Sequence, residues 1–376
     1  MGAEDTRSSP AVATVRGRCD AKGGSMKTSA GRYFEDFRLG EHIVHATPRT
    51  LTDGDIALST ALYGSRFALT SGATFAEALG LRQLPVDPLL TFHVVFGKTV
   101  PDISINAVAN LGYAGGRFGV PVLPGDTVTA TSEVIGLKAN RDGRTGTVYV
   151  RSQGRNQRDE VVLDYVRWVM VNKAAPHETA EAPVVPELPG AVPAGDLHVP
   201  ISVSDDYATR LAPLAGSAQL FEDYEVGERI DHVDGMTVEE AEHMLATRLY
   251  QNTAKVHFNQ LAQTDSRFGR RLVYGGHVIS MARALSFNGL QNALWIAAIN
   301  AGTHANPTFG GDTIHAWSEV LERLDLPGRT DVGALRLRTV ATKNHPCGDF
   351  PLRGEDGRYR PEVVLDLDYT VLIPRG

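Results

Sequence analysis

Cysteine is almost absent from this 376-residue chain, with two in all. Cys19 and Cys347 supply neither a disulfide framework nor the paired spacing of a zinc site, and they fit a reducing, cytoplasmic setting. No run of about 18 apolar residues occurs, which excludes a hydrophobic membrane-spanning helix. A basic excess is missing too. With 37 Lys+Arg against 44 Asp+Glu and a net charge of −7, a nucleic-acid surface is not expected, because phosphate binding needs clustered Lys and Arg. Small anionic ligands need only a local basic patch and stay allowed. There is no metal-ligand cluster and no phosphate-cradling loop, so neither a metal nor a cofactor is expected. The first 30 residues lack the apolar core of a signal peptide. They are expected to form a disordered extension, with Met26 as an alternative start.

What is present is a repeat. Phe34-Glu35-Asp36-Phe37 followed by Gly40-Glu41 returns as Phe221-Glu222-Asp223-Tyr224 followed by Gly227-Glu228. Thr50 and Leu62-Tyr63 are spaced like Thr237 and Leu249-Tyr250. Pro121 and Gly125-Asp126-Thr127 recur as Pro307 and Gly311-Asp312-Thr313, and Glu160 to Asp164 recur as Glu362 to Asp366. Four blocks in one order predict two copies of a single unit, 31–173 and 218–376. A chain of this length with 42% hydrophobic residues can fill two cores. The Pro- and Ala-rich stretch 174–217 between them reads as an extended linker rather than a core segment.

Within each copy the pattern predicts a first helix, at Thr52 to Tyr63 and about Thr237 to Tyr250, with acidic residues in the opening turn. A second, more apolar helix is expected near Phe92, stopping before Pro101, and near Gly276 in the second copy. Alternating runs then follow, at Thr127 to Val134, Thr147 to Ser152 and Val161 to Val171, as in half-buried antiparallel strands. A helix followed by consecutive strands is an α+β layout, a sheet wrapping a buried helix.

The segment Asn252-Thr253-Ala254-Lys255-Val256-His257 resembles the motif Gly-Asp-x-Asn-Pro-Leu-His of the MaoC-like (R)-specific enoyl-CoA hydratases, with Asn252 where that family has Asp. Val273-Tyr274-Gly275-Gly276-His277 resembles the family's later segment, in which a glycine opens the central helix. Over residues 31 to 376 the chain is similar to the mesaconyl-CoA hydratase group of this family, including Ala61 to Phe67, Phe96 to Asp102 and Asn106 to Tyr113. The resemblance implies a tandem (double) hot-dog fold. It also implies reversible hydration of an enoyl-CoA, mesaconyl-CoA to and from β-methylmalyl-CoA, with CoA as part of the substrate.

On that resemblance His257, Asn252 and Gly276 are the expected catalytic residues, and Gly275, His277 and Arg66 are expected to bind substrate. Histidine suits proton exchange near neutrality. A helix-start glycine offers an N–H to the thioester oxygen. An amide cannot act as a base, so Asn252 is expected to orient water beside an anionic substrate, where a carboxylate would repel it. The anion needs a cation, and Arg66, in an apolar setting, is expected before Arg248 or Lys255. The first copy has Ser65 and Thr70 at the matching positions and is expected to be catalytically silent. Hydration of another enoyl-CoA, thioester hydrolysis and non-catalytic acyl-CoA binding stay open, as does homodimer formation. Lys343 to Gly357, with Cys347, reads as a surface loop.

Overall fold

The computed structural model describes residues 27–176 and 182–376; Cys19, Met26 and nearly all of the expected extension lie outside them. Each copy supplies five strands. The first contributes β1 (His42–Thr50), β2 (Ala107–Phe118), β3 (Thr127–Ala139), β4 (Thr145–Arg155) and β5 (Val161–Asn172). The second contributes β6 (Arg229–Thr237), β7 (Trp295–His304), β8 (Thr313–Asp325), β9 (Val332–Lys343) and β10 (Val363–Pro374). They form one antiparallel sheet in the order β1-β3-β4-β5-β2-β7-β10-β9-β8-β6. The order reads the same from either edge, so a pseudo-two-fold axis passes between β2 and β7. There Tyr113 is opposite Gly302 and Arg117 opposite Ala298.

Each half of the sheet wraps a central helix, Pro88–Ile103 in the first copy and Gly275–Leu285 in the second. Both helices are apolar on nearly every side, as a helix enclosed by a sheet must be. The first runs through Pro101 instead of stopping before it. Pro101 stands in the last turn, so its missing N–H removes one bond near the end and breaks nothing downstream. The shorter helices Asp53–Tyr63 and Glu240–Leu249 precede the central ones. At the axis the repeated tyrosines Tyr63 and Tyr250 meet hydroxyl to hydroxyl.

The repeat is visible down to single bonds. Phe34–Asp36 and Phe221–Asp223 form the same short turn. The Thr50 and Thr127 hydroxyls lie 2.8 Å apart, as do those of Thr237 and Thr313. His45 Nε2 meets Ser132 Oγ at 2.7 Å, and His232 Nε2 meets Ser318 Oγ at 2.8 Å.

Two expectations are corrected. Residues 182–217, with only short helical turns at Ala194–Asp196, Tyr207–Arg210 and Ala212–Ala215, are a core segment and not merely an extended linker. Val192, Leu197, Ile201, Tyr207 and Leu211 are buried with Leu69, Phe75, Trp295 and Leu372 in one apolar cluster. Prolines limit the backbone there while the intervening side chains still pack. The segment after β9 is likewise anchored, because Cys347 is buried against Trp317, Val340 and Val363. Burial raises its thiol pKa to about 11, which makes it inert rather than reactive. No helix among the described residues is long and apolar enough to cross a membrane.

Candidate active site

The helix Glu240–Leu249 ends in a turn that fixes the first polar group of the site. The Gln251 N–H donates to the Arg248 carbonyl and the Asn252 N–H to the Thr247 carbonyl, both at 3.0 Å. This doubly bonded helix end requires a left-handed residue, which is Gln251 at φ 54°. Gly64 holds the matching place in the first copy at φ 58°. A side chain is thus held where glycine is favoured, immediately before Asn252.

Asn252 is 1% exposed. Its Oδ1 accepts from the Ala254 N–H at 3.2 Å, while its Nδ2 has no partner. The amide is therefore oriented, and what it offers the cavity is a donor. His257 sits on the short helix Lys255–Phe258. Its Nδ1 lies 2.9 Å from the Leu272 carbonyl. A carbonyl only accepts, so Nδ1 carries the proton and Nε2 is left with its lone pair. Burial pushes the imidazole pKa down to about 4, against the opposing effect of the Leu272 bond. The ring is neutral at physiological pH and available as a base.

The second central helix begins beside these residues. Its N-cap, Tyr274, makes no side-chain cap bond. The His277 N–H donates to the Tyr274 carbonyl at 2.9 Å, while the N–H groups of Gly275 and Gly276 have no acceptor within the helix. Gly275 lines the cavity. A Cβ there would fall 2.3 Å from His304 Cε1, so only glycine lets that ring approach. Gly276 lies behind it, where a Cβ would fall 2.3 Å from Tyr274 and 2.6 Å from His93. Gly276 does not line the cavity, and Gly275 is the glycine that faces it.

Asn252, His257, Gly275 and Tyr274 line one cavity of about 330 Å³. Its far wall comes from the first copy, including Phe96, Val100, Tyr113 and Arg167. The site lies between the copies and needs both.

Other expected residues are elsewhere. Arg66 is exposed, with its guanidinium 4.5 Å above the Phe287 ring, and does not line the cavity. Arg248 and Lys255 are also exposed. Long charged side chains keep their heads in water unless a buried partner holds them inside. His277 is buried away from the cavity, with Nδ1 2.9 Å from the Tyr63 hydroxyl. Burial pushes its pKa down to about 3, so it stays neutral in the packing.

Two cavity residues were absent from the expectations. His304 ends β7, with Nε2 3.1 Å from the Tyr113 hydroxyl. Burial first, and the nearby His257 second, lower its pKa to about 4. Arg167 is on β5, 0% exposed, with its guanidinium 4.4 Å above the Phe96 ring. The alternation of β5 could have revealed it. Leu163, Tyr165, Val169 and Val171 all face inward, and Arg167 falls in the same register.

In the first copy the matching place is a cavity of only about 30 Å³, lined by Ser65, Thr70, Asp87 and Leu89 and by Ser280 and Arg283 of the other helix. Ser65 and Thr70 stand where Asn252 and His257 do, so no acid–base pair is present there.

Comparison with known proteins agrees with this architecture. A family model described as mesaconyl-CoA hydratase matches residues 12–189. The β-methylmalyl-CoA dehydratase of Chloroflexus aurantiacus is 66% identical over 351 residues, 93% of this chain and 99% of that one. The mesaconyl-CoA hydratase of Cereibacter sphaeroides is 61% identical over 353 residues, 93% of this chain and 100% of that one. A crystal structure from Chloroflexus aurantiacus, described as a putative MaoC domain dehydratase, superposes with a TM-score of 0.91 at 66% identity, covering 94% of this chain and 100% of that one. A Mycobacterium tuberculosis protein with a double hot-dog fold, 24% identical, superposes at 0.72 over 92% of this chain and 99% of that one, which supports the fold alone. With two relatives above 60% identity spanning nearly their whole lengths, this chain belongs to the mesaconyl-CoA hydratase family of MaoC-like double hot-dog proteins.

Proposed function

We propose that the protein reversibly hydrates mesaconyl-CoA to β-methylmalyl-CoA. The observation that carries this reading is a neutral His257, with Nε2 free, sharing a cavity with an uncapped helix N-terminus. In hydration, His257 Nε2 takes a proton from water as the oxygen attacks the β-carbon. The Asn252 Nδ2–H donates to that oxygen and holds it in place. The N–H group at Gly275 receives the thioester oxygen as it gains negative charge, which is commonly the largest single contribution to such catalysis. His257 then returns the proton to the α-carbon, so atoms balance without another reagent. Dehydration is the reverse.

No cofactor enters this scheme, and dialysis against EDTA is expected to leave the rate unchanged. Both copies within the chain supply walls of the cavity, and activity is expected whether or not two chains associate into a homodimer. Scarce cysteine supports a cytoplasmic setting.

The test is a panel of enoyl-CoA thioesters followed by ultraviolet absorbance and by a thiol reagent. Mesaconyl-CoA is expected to lose its enoyl-thioester absorbance fastest, without release of free CoA. Faster loss with a monocarboxylic enoyl-CoA would move the substrate assignment, and free thiol would indicate a thioesterase. Binding without any turnover would refute catalysis.

A further inference from the structure

A buried cation without a carboxylate is costly, because desolvation removes the water that stabilised its charge. Arg167 is such a cation. Its Nη2 donates to Thr99 Oγ1 at 2.8 Å and to Ser104 Oγ at 2.9 Å. Its Nε and Nη1 have no partner. The Tyr165 hydroxyl lies beside the guanidinium without reaching hydrogen-bond geometry. Among the described residues no Asp or Glu forms an ion pair with it. The Phe96 ring beneath it and the two hydroxyls fix its position but do not neutralise it.

The pseudo-symmetric pocket offers a control within the same molecule. There the buried arginine is Arg283, at the repeat position of Phe96. Asp87, in the same small pocket, lies within electrostatic reach of it. One pocket therefore contains its own acidic side chain and has almost no space left. The other has space, an arginine and no anion.

We infer that Arg167 is the anchor for the free carboxylate of the substrate, its unmet Nε and Nη1 donors taking the anion that the protein does not provide. This deepens the proposed hydration by naming the residue that selects a dicarboxylic acyl group. Mesaconate is a but-2-enedioate carrying a methyl group, so thioester and carboxylate lie at opposite ends of the double bond. The cavity has the same polarity. The helix N-terminus at Gly275 is on the second-copy wall and Arg167 on the first-copy wall. Bound this way, the carboxylate brings the β-carbon between the two walls. A monocarboxylic enoyl chain would leave the guanidinium unpaired, so the same residue rejects it.

The test measures binding, not turnover. Isothermal titration compares succinyl-CoA with butyryl-CoA, saturated thioesters that differ by a carboxylate in place of a methyl group. Wild-type protein is expected to prefer succinyl-CoA by about 30-fold or more, the size of a desolvated charge pair. Arg167→Met, which keeps the apolar stem over Phe96, is expected to abolish the preference without weakening butyryl-CoA. Arg167→Lys, with its charge but without the planar fork, is expected to retain part of it. Equal affinities in wild type, or a preference unchanged in Arg167→Met, would overturn the inference. Should Arg167→Met not fold, the wild-type ratio and the lysine variant still decide. Mesaconyl-CoA turnover without this preference would defeat the anchor alone. The preference without mesaconyl-CoA turnover would instead defeat the proposed reaction.

Discussion

The two central helices start in the same place in the repeat and present opposite chemistry. In the first copy the start reads Asp87-Pro88-Leu89. Asp87 Oδ1 accepts from the Leu89 N–H at 2.7 Å, and Pro88 has no N–H to give. That helix end is fully satisfied and built for stability. In the second copy it reads Tyr274-Gly275-Gly276, with no side-chain cap and no Cβ to block approach. The same dipole thus faces its own carboxyl group in one copy and an open cavity in the other. The cavities beside the two starts measure about 30 Å³ and about 330 Å³.

The comparison can be broken most severely at His257. His257→Gln is expected to lower kcat by about 100- to 10,000-fold, the range of a lost general base. Thr70→Ala, at the matching first-copy position, is expected to leave kcat unchanged. A similar loss in both would make the copies equivalent. Gly275→Ala comes next. Its Cβ would meet the His304 ring, and kcat is expected to fall by about 100-fold or more as the thioester oxygen loses its donor geometry.

Acid provides a subtler test. Folded-state pKa values of about 3 for His93 and His277 and about 4 for His232, His257 and His304 lie below the ordinary 6.5. The unfolded chain therefore binds more protons between about pH 6.5 and 4. Stability is complete above that window and falls as pH drops through it, so Tm is expected to decline from pH 7 to pH 5. The acid limb of kcat/KM for hydration is expected near pH 4, not near 6.5. An activity midpoint at 6.5 would show His257 to be solvated. The smallest effect belongs to the silent copy. Asp87→Ala is expected to cost about 1–2 kcal/mol in stability through loss of the cap, and more through the buried Arg283 left without a carboxyl partner, with kcat unchanged, as chemical denaturation and rate assays would record.

Much of this was legible in the sequence, and what was not has physical reasons. The two-copy fold was, because Phe34-Glu35-Asp36 and Gly125-Asp126-Thr127 are local signals that recur intact. Asn252, His257 and Gly275 lie in contiguous motifs that the sequence displays, and the structure places them on one cavity, whereas Gly276, the glycine expected to be catalytic, does not line it. Arg66 was preferred as the cation for its apolar neighbours, yet sequence proximity does not say which way a side chain turns. Arg167 and His304 come from strands distant in sequence from His257 and share its cavity only after the sheet closes. The stretch 182–217 misled because proline content describes backbone freedom and not burial.

The central claim is that each chain keeps one ligand site from two copies of the fold. Calorimetric titration with methylsuccinyl-CoA, the saturated and unreactive counterpart of the proposed substrate, measures this directly. One site per chain is expected, lost when Gly275 is replaced by Ala and kept when Asp87 is replaced by Ala. Two sites per chain, or a single site that disappears with Asp87 and survives at Gly275, would contradict it.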